Sequence, residues 1–219
     1  MMQELPDLIV IRHGETQWNV AGRLQGRKDT PLTNNGVRQA KAVGVRLADT
    51  IASHQGLKFW SSPLPRALQT ASILAGIWTV PFEKFTQAPL LMERSFGVWE
   101  GQTSDEIKRD LSDQYRAQQT DPWNYTMPEG ESRNDLKQRI QTWLATLEKQ
   151  TTHVVVTHSG CLRALRGIYT KASSEVMLAY SEPQTASFLL SSGRETMLEI
   201  PAGILRAMGC EGAGTTVRL

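Results

Sequence analysis

Short apolar runs alternate along this chain with longer stretches in which apolar positions recur every three or four residues. Residues 8–11 are continuously apolar behind Pro6 and Asp7, which predicts a strand buried on both faces. From Thr33, a natural N-cap, Val37, Ala40, Gly44, Leu47, Ala48 and Ile51 fall at helical spacing and predict an amphipathic helix. Residues 57–60 read as a second strand, and 65–75 as a helix with Arg66 in its first turn and Gly76 as its stop. The stretch 81–101 breaks into short strand-like pieces. Thr103 and Glu106 then form a capping box that opens a polar helix towards Gln118, and 122–130 is loop. Ser132 caps a helix with Leu136, Ile140, Leu144 and Leu147 on one face, and 153–157 is a third strand followed by a helix over 160–169. Residues 186–190 and 196–200, joined by SSGRE, predict an antiparallel hairpin. This alternation predicts an α/β domain with a mostly parallel central sheet flanked by helices. Residues 1–208 are expected to form one domain, and 209–219, rich in glycine, a mobile tail.

The composition is that of a globular protein: 40% of the 219 residues are hydrophobic and 21% charged, which excludes collagen-like and disordered chains. No apolar run approaches the roughly 18 residues of a membrane span. The start, interrupted by Glu4 and Asp7, does not read as a secretory signal, and Cys161 and Cys210 are too few for a disulfide framework. A cytoplasmic protein with free thiols is expected. Net charge is +2, too small for a nucleic-acid footprint. Its distribution is uneven: residues 1–66 carry nine Lys/Arg against five Asp/Glu, while 67–150 carry nine against twelve. That excess suits a cationic pocket for a small anion and equally suits a solvated basic face.

Ligands of open α/β sheets bind beyond the carboxyl ends of the strands. The first strand runs into Arg12, His13 and Gly14, the second leads to Arg66, and the third ends at His158, Ser159 and Gly160. Two of four histidines thus follow separate strands with two arginines beside them. No HExxH or Cys/His pair suggests a metal site, and no GxxxxGK run a nucleotide loop. Histidine with arginine suits phosphoryl transfer to imidazole, because neutral imidazole is nucleophilic and guanidinium forks match phosphate oxygens.

LIVIRHGETQWN resembles the signature of the histidine phosphatase superfamily, the group that includes cofactor-dependent phosphoglycerate mutases. Five further blocks follow in family order: RLQG with DTPLT, SSPLPRALQT, MERSFGVWEG, MPEGES and VVVTHSG, together spanning about 150 residues. The resemblance implies a three-layer, phosphoglycerate mutase-like fold. It makes His13 the phosphoryl acceptor, with Arg12, Arg66 and His158 holding phosphoryl oxygens. Asn19 would bond the phosphoryl group or orient His13. Glu93, chosen over Glu83 and Glu100 by its spacing to Gly97 and Trp99, would protonate the leaving oxygen and then activate water. Thr16, Gln25, Gly26 and the Ser159 backbone match positions that line the substrate phosphate.

Bland readings stand beside these. His54 and His153 lie outside every block and read as surface or structural residues. Arg23, Arg27 and Lys28 read as loop charges or rim contacts, and Trp18, Trp99 and Trp143 as core or pocket wall. Arg66 could be a helix-surface residue, although a cation in a first turn opposes the macrodipole.

The chain departs from the mutase pattern. Gln25 and Gly26 stand where mutases have threonine and glycine, and GQTSDEIKRDLSDQYRAQQ replaces an inserted lid with paired arginines; Arg109 and Arg116 stand alone. A mutase must exclude water while its substrate reorients, whereas a phosphatase admits it. A phosphomonoesterase working through phosphohistidine, with neither metal nor organic cofactor, is expected. Its partner is a small phosphorylated substrate, its assembly a homodimer, and neither nucleic acid nor membrane is involved. A phosphoglycerate mutase and a non-catalytic phospho-ligand-binding protein are the alternatives.

Overall fold

The two most apolar runs form the centre of the sheet. β1 (Leu8–Arg12) and β4 (His153–Thr157) pair in parallel with every residue buried, as strands covered on both faces require. The computed structural model describes residues 5–54 and 56–210. With β2 (Lys58–Ser61), β3 (Phe85–Gln87), β5 (Ala186–Ser191) and β6 (Arg194–Glu199), the strands run in the order β3-β2-β4-β1-β5-β6. Pairings among β1 to β4 are parallel, and β5 and β6 close one edge as an antiparallel hairpin.

The helices are α1 (Gln17–Val20), α2 (Asn34–Ser53), α3 (Pro65–Trp78), α4 (Ser104–Asp110), α5 (Ser112–Thr120), α6 (Arg133–Leu144), α7 (Ser159–Thr170), α8 (Ser174–Ala179) and α9 (Ala202–Ala207). Val43 and Leu47 of α2 and Leu74 of α3 pack with Ile9, Ile11 and Val156 on one face of the sheet. Leu136 and Ile140 of α6 and Leu162 and Leu165 of α7 pack with Val10 and Val155 on the other. The result is the expected three-layer α/β arrangement. A satellite cluster of Leu24, Trp99, Ile107 and Met127 anchors α4 beside the sheet.

Several boundaries differ from the sequence reading. Gly76 does not stop α3, because its last turn is held from outside: Trp78 Nε1 donates to the Gly44 carbonyl at 2.9 Å. Thr79, at φ 55°, is the actual cap. The polar helix expected from Thr103 to Gln118 breaks at Leu111 into α4 and α5, where Leu111 turns into the satellite cluster. The SSGRE connection shrinks to Ser192 and Gly193, because Ser191 pairs with Arg194; both turn residues have positive φ, the geometry of a two-residue hairpin turn. Of the expected tail, Gly209 and Cys210 are tied back to α9, whose Arg206 and Leu205 carbonyls accept their N–H groups, and Arg38 bonds the Gly209 carbonyl. Residues 211–219 lie outside the described residues.

Candidate active site

Beyond the carboxyl ends of β1, β2 and β4 lies a pocket lined by eight of the ten residues singled out above: Arg12, His13, Asn19, Gln25, Gly26, Arg66, Glu93 and Ser159. Thr16 and His158 stand behind its wall, both fully buried.

His13 is 3% exposed. Its Nδ1 lies 2.8 Å from the Gly14 carbonyl, an acceptor only, so Nδ1 carries the proton and Nε2 keeps its lone pair. Arg66 Nε donates to that lone pair at 3.3 Å. Burial first, and then Arg66 and Arg12, hold the His13 imidazole well below its ordinary value of 6.5. His158, its ring centroid 5.1 Å from that of His13, is lowered in the same way by burial, Arg66 and His13. Ser62 Oγ accepts from the Leu64 N–H and lies 2.7 Å from His158 Nε2. Ser62 Oγ and His158 Nε2 thus form one hydrogen bond, and the remaining His158 nitrogen, Nδ1, is buried without a partner.

Two neutral histidines in the fold set a pH dependence of stability. Below pH 6.5 the unfolded chain takes up protons that the folded one refuses, so each of these groups costs up to about 1.4 kcal/mol of stability per pH unit there and nothing above it. The urea midpoint is expected to fall steeply from pH 7 to pH 5. Ring-nitrogen NMR should show His13 still neutral at pH 6.5; a flat midpoint with His13 half-protonated at that pH would overturn the assignment.

Arg66 is no helix-surface residue. Only 1% exposed, it pairs with Asp29 at 2.6 Å and donates to the Gly26 and Lys28 carbonyls, so it also holds the loop that carries Gly26. Gly26 sits at φ 56°, and a Cβ there would collide with the Glu100 carboxylate at 2.1 Å. Arg12 donates to the Glu182 carbonyl at 2.6 Å; burial lowers it to about 10, opposed by the Glu182 charge, so it stays cationic at neutral pH.

Asn19 Oδ1 is occupied by three donors, the Thr16 N–H and hydroxyl and Gln184 Nε2, which leaves its Nδ2 amide to donate into the pocket. Thr16 caps α1 and also accepts from Gln25 Nε2, so the Gln25 amide is spent inside the loop. The Ser159 hydroxyl likewise donates to Glu182, so what this residue offers is its backbone at the N-terminus of α7.

Glu93 and Glu100 are separated by their partners. The Glu93 carboxylate accepts the Arg94 N–H at 2.8 Å and the Gly160 N–H at 3.0 Å at the pocket wall. A Cβ on Gly160 would lie 2.3 Å from Glu93 Oε1, so glycine admits this approach. Glu100 instead latches the Arg27, Lys28 and Phe96 N–H groups, away from the pocket.

Three arginines in the pocket were missed: Arg94 beside Glu93, Arg133 at the start of α6, and Arg163 one turn into α7. Arg94 is 5% exposed, lies over the Phe96 ring at 4.5 Å, and has a buried Nη1 without a partner. Burial, then Arg133, lowers it to about 9. Arg163 pairs with the fully buried Glu182 at 2.9 Å. The position of Arg94 inside the MERSFGVWEG block was the available signal; Arg133 and Arg163 lie far apart in sequence and meet only in the fold.

The remaining readings sort simply. Arg23 lines the pocket while paired with Glu106, Arg27 pairs with Glu131, and Lys28 bonds the Glu100 carbonyl. Arg109 and Arg116 are exposed beside Asp110 and Asp113, outside the pocket. His153 is buried between Trp60 Nε1 and the Glu148 carbonyl, and His54 is exposed on the cap of α2. Trp99 and Trp143 are core; Trp18 lies against Gly101. Among the described residues, no group of three or more His, Cys, Asp or Glu could hold a metal, and no helix is long and apolar enough to cross a membrane.

The model of the histidine phosphatase superfamily (branch 1) matches residues 8–196. The 6-phosphofructo-2-kinase/fructose-2,6-bisphosphatase of Gallus gallus is 34% identical over 166 residues, which cover 75% of this chain but 33% of that protein. The chain thus spans about a third of that relative's length. Among solved structures, the α-ribazole phosphatase of Shigella flexneri superposes with a TM-score of 0.73 at 28% identity, covering 89% of this chain and 95% of the other. The mycobacterial glucosyl-3-phosphoglycerate phosphatase gives 0.69 at 28% identity, covering 84% and 89%.

Proposed function

Because the chain belongs to the histidine phosphatase superfamily, branch 1, we propose that it is a histidine-phosphatase-type hydrolase that cleaves a small phosphomonoester through a phosphohistidine on His13. The observation that carries this reading is the state of His13: buried and neutral, with Nδ1–H spent on Gly14 and the Nε2 lone pair beside Arg66. A phosphoryl group entering the pocket takes over the Arg66 Nε–H. As Nε2 bonds to phosphorus, the ester P–O bond breaks and the leaving oxygen takes a proton from Glu93. Water then attacks phosphorus, Glu93 accepts its proton, and the Nε2–P bond breaks. Arg12, Arg66, the Asn19 amide, the His158 ring and the N-terminus of α7 carry the phosphoryl charge. Thr16, Gln25, Gly26 and Ser159 shape the loop and helix end around it.

The pocket carries more positive charge than one phosphoryl group needs. Arg94, Arg133 and Arg163 favour an ester with a second anionic group, a second phosphate or a carboxylate. The named relatives include a fructose-2,6-bisphosphatase and a glucosyl-3-phosphoglycerate phosphatase, in keeping with that class. Phosphate release should be measured on a panel of esters with and without a second anion, beside an assay of 3-phosphoglycerate isomerisation. Esters with the second anion should show kcat/KM about tenfold higher or more, the value of one charge-assisted hydrogen bond. Isomerisation without release would mark a mutase instead, and binding without either a non-catalytic protein. Both cysteines are free, as a reducing compartment keeps them, and we place the reaction in the cytoplasm. Light scattering checks the expected homodimer.

A further inference from the structure

Glu93 is carried by a segment with neither helix nor sheet ladder of its own. Behind the short 3-10 turn Pro89–Leu91, the carbonyls of residues 90–93 must find donors elsewhere, since unpaired buried carbonyls are costly. Leu91 takes the Thr157 hydroxyl. The Cys161 thiol adds bonds to the Leu91 and Met92 carbonyls at 3.4 and 3.1 Å, and one side chain reaches all of Leu90, Met92 and Glu93. Arg139, in the middle of α6, donates from Nη1 to the Leu90 carbonyl at 2.6 Å and the Met92 carbonyl at 2.9 Å, and from Nη2 to the Glu93 carbonyl at 3.5 Å. Its Nε and the second Nη2 donor bind Glu131 side-on at 3.0 and 2.9 Å. All five N–H groups of a guanidinium are thereby used. Glu131 in turn accepts from Ser95 N–H and from Arg27, which joins the residues on either side of Glu93 to the same fork.

We propose that Arg139 is a positioning residue that aims the Glu93 carboxyl at the leaving oxygen. The inference rests on the acid role given to Glu93 above. The Glu93 carboxylate is held by the Gly160 N–H at the start of α7 and by the N–H of its neighbour Arg94, and its main chain is gripped from α6 by Arg139. A shift of about 1 Å in a reacting group can cost about a hundredfold in rate. Lysine keeps the charge but, as a compact ammonium, cannot span three carbonyls and a carboxylate.

The test compares Arg139→Lys, Arg139→Gln, Glu93→Gln and the Arg139→Lys/Glu93→Gln pair on an alkyl and an aryl phosphate. A misplaced acid matters only when the leaving group needs a proton. Both Arg139 variants should lose about 30-fold or more in kcat on the alkyl ester and about threefold or less on the aryl ester, with KM little changed. In the Glu93→Gln background, Arg139→Lys should cost nothing further on the alkyl ester, because it acts only through Glu93. Equal losses on both esters, additive losses in the pair, unchanged kcat, or failure of both variants to fold would each overturn the proposal and make Arg139 structural. If Glu93→Gln itself shows no ester preference, the reading of Glu93 has failed. If Glu93→Gln discriminates and the Arg139 variants do not, the positioning role alone has failed.

Discussion

His13→Ala removes turnover, by about a thousandfold at least, together with the acid-labile, base-stable phosphate that brief mixing with substrate leaves on the protein. The expectation follows from the uniqueness of Nε2. His158 is also neutral, but its Nε2 is engaged by Ser62 and its place is to bond the phosphoryl group, so it does not take over the attack. Cys161 lies within reach of the Glu93 charge, and burial raises its thiol to about 12, while the Ser159 hydroxyl is spent on Glu182. Loss of the nucleophile therefore has no internal rescue. Rapid quench and phosphate release measure the two outcomes, and substantial activity in this variant would falsify the mechanism. The same substitution should flatten the acid side of the stability profile, since the folded state then holds one fewer imidazole that resists protonation.

Glu93→Gln separates the two halves of the reaction. On an alkyl phosphate the leaving oxygen needs a proton, and the rate should fall by about a hundredfold or more. An aryl phosphate, whose phenol departs unaided, should still phosphorylate His13 at a measurable rate. Hydrolysis of the phosphohistidine then slows because no carboxylate activates water, and the phenol appears as a burst in a stopped-flow trace. The substitution is not neutral to the fold. Both Glu93 oxygens accept backbone N–H groups, so a glutamine amide leaves one donor facing another, a cost of about 1–3 kcal/mol. Equal losses on both esters without a burst would make Glu93 a binding or structural residue. Glu100 does not then inherit the role, because its oxygens are committed to the Arg27, Lys28 and Phe96 N–H groups.

Much of the frame was legible because it is local. The unbroken apolar runs of β1 and β4, the Thr33 and Ser132 caps and the Thr103–Glu106 box each encode their element within a few residues, and each formed where expected. Boundaries failed where a distant contact outweighed a local signal. Trp78 reaches Gly44 and carries α3 past Gly76; Leu111 turns into the satellite cluster and breaks the polar helix. The short helices α1, α8 and α9 escaped notice because four to six residues are too few for a periodic pattern.

What this sequence determined by itself was the layered α/β frame, the strand ends at which chemistry should be sought, and the family blocks that singled out His13, Arg12, Arg66, Glu93 and His158. Each is written either in nearest-neighbour periodicity or in contiguous motifs. The electrostatic state of the pocket was decided only by tertiary structure. His13 is held neutral because folding buries it between Arg66 and Arg12, which β2–α3 and β1 deliver from positions 53 residues apart and adjacent, respectively. Arg94, Arg133 and Arg163 become one cationic wall, Glu182 its buried counter-charge, and Arg139 the grip on Glu93, because helices and loops from separate parts of the chain converge there. Desolvation and through-space charge depend on distances that folding sets, and spacing along a chain does not encode them.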